Sequence, residues 1–205
     1  MADATEQARL DAIHAASTKL QEMHDRIHKT YLQRDRGPEQ REIWSTACAE
    51  FHRRYPDLHF PGGSEVIDRA KQGTPDGIVN AIDFLVADPM HFRSGYLKQD
   101  LWHWSKRWAL LPSDIARLER AALVNLQRAI SREFREMCCA MAKHGTAAFW
   151  SEVERTASSE DAQLAKRATL LRDFRVSAAH GGQKFRAFIR ESFDRRARAR
   201  MREGG

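Results

Sequence analysis

Apolar residues along this chain recur at three- and four-residue steps, the period of a helix with one buried stripe, and no stretch alternates as a half-buried strand would. Over residues 5–34 the stripe is Leu10, Ile13, Leu20, Ile27 and Tyr31, nearly a heptad seam in which Ser17 and His24 occupy seam positions. A long helix of this kind either packs on the body of the protein or pairs with a second copy. Gly37-Pro38 ends that helix and opens another, because proline in the first turn gives up no hydrogen bond the helix would have made. The second stripe runs through Ile43, Trp44, Ala47, Cys48, Phe51 and Tyr55. Two prolines and two glycines between Tyr55 and Gly63 then break the period and mark the clearest internal boundary.

Beyond the boundary, capping residues recur at short intervals. Ser64, Thr74 before Pro75, Ser113 before Asp114, Thr146, and the pair Ser158 and Asp161 each predict a helix start. The stripes that follow are Ile78, Ile82, Leu85 and Val86; Leu97, Leu101, Trp104 and Trp108; then Ile115, Leu118, Ala122, Leu126, Ile130, Phe134, Met137 and Met141. Phe149, Trp150 and Val153 begin a further stripe, and Ala165, Ala168, Leu171 and Phe174 another. His180-Gly181-Gly182 stops the last of these, and a final basic helix carries Phe185, Phe188, Ile189 and Phe193. Taken in pairs, residues 75–109, 113–144 and 146–180 form units of similar length, in the range at which helical hairpins stack side by side.

The stretch Ser-Ser-Glu-Asp-Ala-Gln-Leu-Ala-Lys-Arg-Ala-Thr-Leu-Leu-Arg at 158–172 resembles the second helix of a HEAT-type repeat, with a capped start, small alanines and an arginine-bearing rim. The resemblance extends at most over residues 64–180. It implies an all-α fold of stacked antiparallel hairpins, a HEAT-like α-solenoid, with a helical bundle as the alternative. The expected organisation is an N-terminal helical pair over 1–55 and a helical array over 64–205.

Composition narrows the class without altering the fold. In 205 residues, 42% hydrophobic and 30% charged, no apolar run is long enough to cross a bilayer, so no membrane partner is expected. The first residues lack the basic start and apolar core of a signal peptide. Cys138 and Cys139 are helix neighbours whose side chains diverge, and the third cysteine is Cys48, so reduced thiols in a cytoplasm are expected. Charge is unevenly spread. Residues 1–90 hold 11 Lys and Arg against 15 Asp and Glu, a net of −4, whereas residues 91–205 hold 23 against 13, a net of +10. That asymmetry points to an anionic partner for the second part.

Two groups of residues carry the candidate chemistry. Between Phe92 and Trp108, three tryptophans fall within seven residues. If Leu97, Leu101, Trp104 and Trp108 form the inner line, Trp102 is displaced to a flank beside Arg93, Lys98 and Lys106, as an aromatic contact among cations. The second group is an arginine series that includes Arg117, Arg120, Arg128, Arg132, Arg135, Arg167 and Arg172, continuing to Arg186 and Arg190, with a basic arm from Arg195 to Arg202. The expected binding residues are therefore Arg93, Lys98, Trp102, Lys106, Arg128, Arg132, Arg135, Arg167 and Arg172. His24 and His28 have a spacing that puts two imidazoles on one helix face, but no third ligand accompanies them, so no metal or cofactor is expected. P-loop, dinucleotide-binding and nucleophile-elbow motifs are absent from the sequence, and no catalytic residue is assigned.

The function these features predict is a non-enzymatic intracellular adaptor that engages an acidic protein surface, with self-association through the N-terminal helix as a further expectation. The alternative is nucleic-acid binding, or, by resemblance to HEAT-like DNA glycosylases, a base-holding site at Trp102, Trp104 and Asp100.

Overall fold

The structure, a computed structural model, describes residues 4–178. The protein is all-α. Among the described residues the helices are α1 (Ala4–Tyr31), α2 (Pro38–Leu58), α3 (Gly63–Gln72), α4 (Pro75–Ala87), α5 (Ser94–Ser105), α6 (Pro112–Leu126), α7 (Phe134–His144), α8 (Ala147–Ala157) and α9 (Ala162–Ala178). The expected final basic helix and the arginines from Arg186 onward lie outside the described residues.

The α1 stripe is buried through Leu10, Ile13, Ser17 and Leu20, and is continued by Met23, while Ile27 and His24 are half-buried and Tyr31, also expected in the stripe, is 45% exposed. It serves two cores. Leu20 and Met23 close with Phe51 of α2 into a small cluster, while Leu10 and Ile13 belong to the main core with residues of α3 to α9. α1 thus packs both on α4, as part of the body, and on α2, with which it forms a hairpin. α2 also runs beyond the expected stop at Tyr55. Pro56 sits in its last turn, and the helix closes at His59, whose backbone N–H donates to the Tyr55 carbonyl at 3.0 Å.

Successive and next-but-one helices pack together: α3 on α4 and α8 on α9, with α4 on α6, α5 on α7 and α7 on α9. The α3–α4 approach depends on Gly77, where a Cβ would lie 2.4 Å from the backbone of Arg69 and Ala70. Trp108 reaches across from the end of the α5 region and donates its indole N–H to the Ala70 carbonyl at 2.8 Å.

The start signals divide into those the backbone uses and those it does not. Thr146 caps α8 by accepting from the Phe149 N–H at 3.3 Å. At α9 the cap is Asp161, which takes the N–H groups of Gln163 and Leu164 at 2.8 and 3.1 Å, and those donors hold its carboxyl below its ordinary value. Ser158 instead ends α8. α3 starts at Gly63, ahead of Ser64, and α6 starts at Pro112, with Asp114 accepting from the Leu111 N–H at 3.0 Å. The stripe from Ile115 to Met141 is divided between α6 and α7.

Candidate functional site

The register of α5 decides which of its residues can meet a partner. Its buried face is Ser94, Lys98, Leu101, Trp102 and Ser105, a stripe of three- and four-residue steps that the adjacent pair Leu101 and Trp102 widens. Trp102 is 2% exposed and Lys98 3% exposed, so both are corrected from surface contacts to parts of the interior. Trp104 is only half-buried and Asp100 is exposed, so the expected base-holding trio is split between core and solvent. The cause is that the inner face carries two serines and a lysine, whose polarity disguises it beside the more apolar line through Leu97 and Trp104.

Lys98 is buried because carboxylates surround it. Its ammonium lies 2.5 Å from Oδ1 of Asp88 and 3.5 Å from Oε1 of Glu133, and 3.7 Å from the sulfur of Met90. The second carboxylate oxygen of Asp88 faces the guanidinium of Arg128 as an ion pair. Two cations and two carboxylates thereby tie the α4–α5 turn to α5 and to the α6–α7 connection. A buried set of this kind is a device of position more than of stability, since removing its charges from water offsets much of their attraction.

What the set positions is the turn at residues 88–93. Its ends, Asp88 (φ 48°) and Arg93 (φ 64°), are the non-glycine residues with left-handed backbone among those described, a conformation that costs on the order of 1 kcal/mol or more each unless the surroundings enforce it. Inside the turn the Ser94 hydroxyl accepts from the His91 backbone N–H at 3.2 Å, and the His91 ring Nδ1 donates to the Phe92 carbonyl at 3.0 Å. The same carbonyl receives the Tyr55 hydroxyl at 3.3 Å. Phe92 stacks on His24 of α1 with ring centroids 4.9 Å apart and meets Phe51 edge-on.

Held in this way, the turn keeps apolar side chains in solvent. Met90 is 67% exposed, Phe92 38%, and Tyr96, in the first turn of α5, 54%. Arginines accompany each of them: Arg93 lies 5.4 Å from the centre of the Phe92 ring, Arg132 lies 3.9 Å from that of Tyr96, and Arg128 lines a surface groove with Met90. Exposed apolar and aromatic side chains interleaved with arginine form the composition of an interface centre.

The remaining expected contacts lie apart from this turn. Arg135 and Lys106 both sit on Glu136, at 2.5 and 2.8 Å, and His103 joins them at 3.2 Å. Burial opposes ionisation of Glu136, but the Lys106 and His103 bonds outweigh it and leave the carboxyl below its ordinary value. Arg167 donates from Nε to the Leu126 carbonyl at 2.5 Å, completing the α6 terminus, while Arg172 pairs with Asp173 at 3.1 Å and Glu154 at 3.5 Å. Arg117 and Arg120 are engaged by Glu6, and Arg117 also by buried Asp83, which receives Arg9 at 2.7 Å. The continuous arginine face expected from sequence is therefore neutralised along much of its length by carboxylates of the same chain.

His24 and His28 do lie together, with rings 4.6 Å apart, but among the described residues no group of three His, Cys, Asp or Glu side chains is arranged to hold a metal ion. Burial, and next the neighbouring His28, lower the pKa of His24. The cysteines are unbridged, and burial raises the thiol of Cys138 well above its ordinary value, with Cys139 raised by the same cause.

No protein-family model matches the chain, and neither a curated protein nor a solved structure matches it.

Proposed function

We propose that the protein is a non-enzymatic adaptor which engages an acidic partner protein through the turn at residues 88–96, with Met90, Phe92 and Tyr96 as apolar anchors and Arg93, Arg128 and Arg132 as the cations beside them. The observation that carries this reading is the fixed turn itself: two left-handed, non-glycine residues and a buried ionic set keep Met90 and Phe92 in solvent. Strained backbone over-determined by its surroundings clusters at binding sites, and a preorganised loop loses little entropy when a partner docks. The next-but-one contacts of α4 with α6 and of α5 with α7 support a HEAT-like stacking of hairpins as the scaffold. The three unbridged thiols are in keeping with a cytoplasmic setting.

The reading is tested by affinity capture from the native cell with the unaltered protein, Met90→Asp and Arg132→Glu side by side. A protein retained by the first and lost by both variants, with circular dichroism unchanged, is the expected outcome. Partners that bind all three forms equally overturn it. Binding of single- or double-stranded nucleic acid that falls steeply with salt and depends on Arg132 transfers the surface to the other class of ligand.

A further inference from the structure

Between the turn and α1 runs a groove of about 390 Å³, open to solvent, with Asp88, Met90 and Arg128 on one side. The α1 side is formed by Ser17, Thr18, Gln21, Glu22 and Asp25, with His14 one turn earlier. These positions recur at three- and four-residue steps, so one face of α1 lines the groove over about three helical turns, roughly 16 Å.

That face is rich in acceptors. Ser17 is 6% exposed and lines the groove, and its hydroxyl has no hydrogen-bond partner among the described residues. Buried hydroxyl groups are ordinarily paired, so an unpaired one facing a groove is placed for a ligand. One turn on, Gln21 donates its amide N–H to Oδ1 of Asp25 at 2.8 Å. The bond fixes both side chains and leaves the Gln21 carbonyl oxygen and Oδ2 of Asp25 as acceptors. Glu22 is held only by Lys19, at 3.7 Å, in an exposed pair. Charge points the same way, because Asp88 is committed to Lys98 and to Arg128, the guanidinium of the lining, whereas Glu22 and Asp25 have no cation of the lining opposite them.

The matching group carries positive charge, only donates hydrogen bonds and reaches acceptors on successive turns. Side chains four residues apart on a helix stand about 6 Å from one another. A single ammonium does not bridge them, but a planar guanidinium with its fork of N–H donors does. Met90, 67% exposed, supplies apolar contact for the methylene stem behind such a group.

We propose that this groove receives an arginine side chain of the partner, with its guanidinium on Ser17, Gln21 and Asp25 and its stem against Met90. The inference rests on docking at the turn and adds to it: a partner surface that meets Arg93 and Arg132 with carboxylates also presents one arginine.

The test titrates the isotope-labelled full chain with N-acetyl-arginine methylamide and with the corresponding lysine, norleucine and glutamate compounds, following the amide resonances of residues 14–25 and 88–91 by NMR. The arginine compound is expected to shift these resonances, with an affinity that weakens as salt rises. The lysine compound is expected to bind about tenfold more weakly for want of the second donor arm, and the norleucine and glutamate compounds to leave the resonances unmoved. Ser17→Ala is expected to weaken arginine binding about tenfold without lowering the thermal midpoint, since the hydroxyl it removes has no partner in the fold. Glu22→Lys with Asp25→Lys, at two exposed or half-open helix positions, is expected to abolish binding and retain the helical spectrum. No partner protein enters this titration, so its failure leaves capture through the turn standing. Failure of that capture shows instead as equal retention by Met90→Asp and Arg132→Glu with the arginine shifts intact. Absence of shifts with the arginine compound, equal shifts with any of the other three, or arginine binding unchanged by Ser17→Ala or surviving in the folded double variant overturns the proposal.

Discussion

Lys98 shows how one side chain changes meaning with its surroundings. On a surface it is a solvated cation, but at 3% exposure between Asp88 and Glu133 it is the only feature that makes two buried carboxylates tolerable from the α5 side. Lys98→Met fills the same space and breaks the set, leaving those carboxylates facing each other with Arg128 alone as counter-charge. A loss of about 3–5 kcal/mol in unfolding free energy is expected, the magnitude found when one member of a buried pair is removed. Urea denaturation measures it. A loss below about 1 kcal/mol, the size of an exposed pair, would mean that the set is wet and does not hold the turn. Arg132, stacked on Tyr96 at the surface, is the contrasting case: Arg132→Glu leaves stability nearly unchanged and alters only binding.

At the scale of elements, the backbone constraint at Gly77 reverses an ordinary rule. Glycine inside a helix is normally worse than alanine by roughly 0.5–1 kcal/mol. Here an added methyl would stand 2.4 Å from the α3 backbone, so α3 and α4 would have to separate. Gly77→Ala is expected to destabilise by about 1–3 kcal/mol, as overpacked cores do, and a rise in the thermal midpoint would refute the close approach. Nothing in the sequence marks that glycine as an inter-helix contact, and the same limit applies elsewhere. Helical periodicity was legible for most of the described helices, α3 being marked only by its start signal at Ser64, because one apolar stripe per helix is a local property. So were Thr146 as a cap and the seam of α1 as far as Leu20. The register of α5 was not, because Ser94, Lys98 and Ser105 are polar residues made acceptable inside by partners distant in sequence. The division between α6 and α7 was equally hidden, since residues 127–133 contain neither glycine nor proline and the apolar stripe continues through Ile130. Of the candidate surface, Arg93, Arg128 and Arg132 were found by charge alone. Met90, Phe92 and Tyr96 were missed as contacts, although the Asp88-Pro89 dipeptide after an apolar run signalled the turn that carries them.

Across the whole molecule, pH acts on three separated histidines in the same direction. His24 lies between the α1–α2 hairpin and the turn, His91 within the turn beside Phe84, and His144 at the end of α7 against the Ser105 carbonyl at 3.0 Å. For each, burial is the leading cause of a pKa below the ordinary 6.5. The unfolded chain therefore binds protons first as pH falls through 6.5, and the folded state follows only at the lowered values. Unfolding free energy is accordingly full above that window and declines within it. Glu136 adds a second window, because its lowered carboxyl contributes stability above the ordinary 4.5 and loses it below as the Lys106 and His103 bonds are given up. Measured by urea titration, stability should fall between about pH 7 and about pH 5. His24→Gln should remove part of that fall while keeping the spectrum of the native helices. Because His24 stacks on Phe92 and His91 holds its carbonyl, the same acidification should loosen the turn ahead of the core, seen as faster amide hydrogen exchange at residues 90–94 than in α4 or α7. Uniform exchange across these segments, or stability that rises on acidification, would show that the buried imidazoles do not govern the turn.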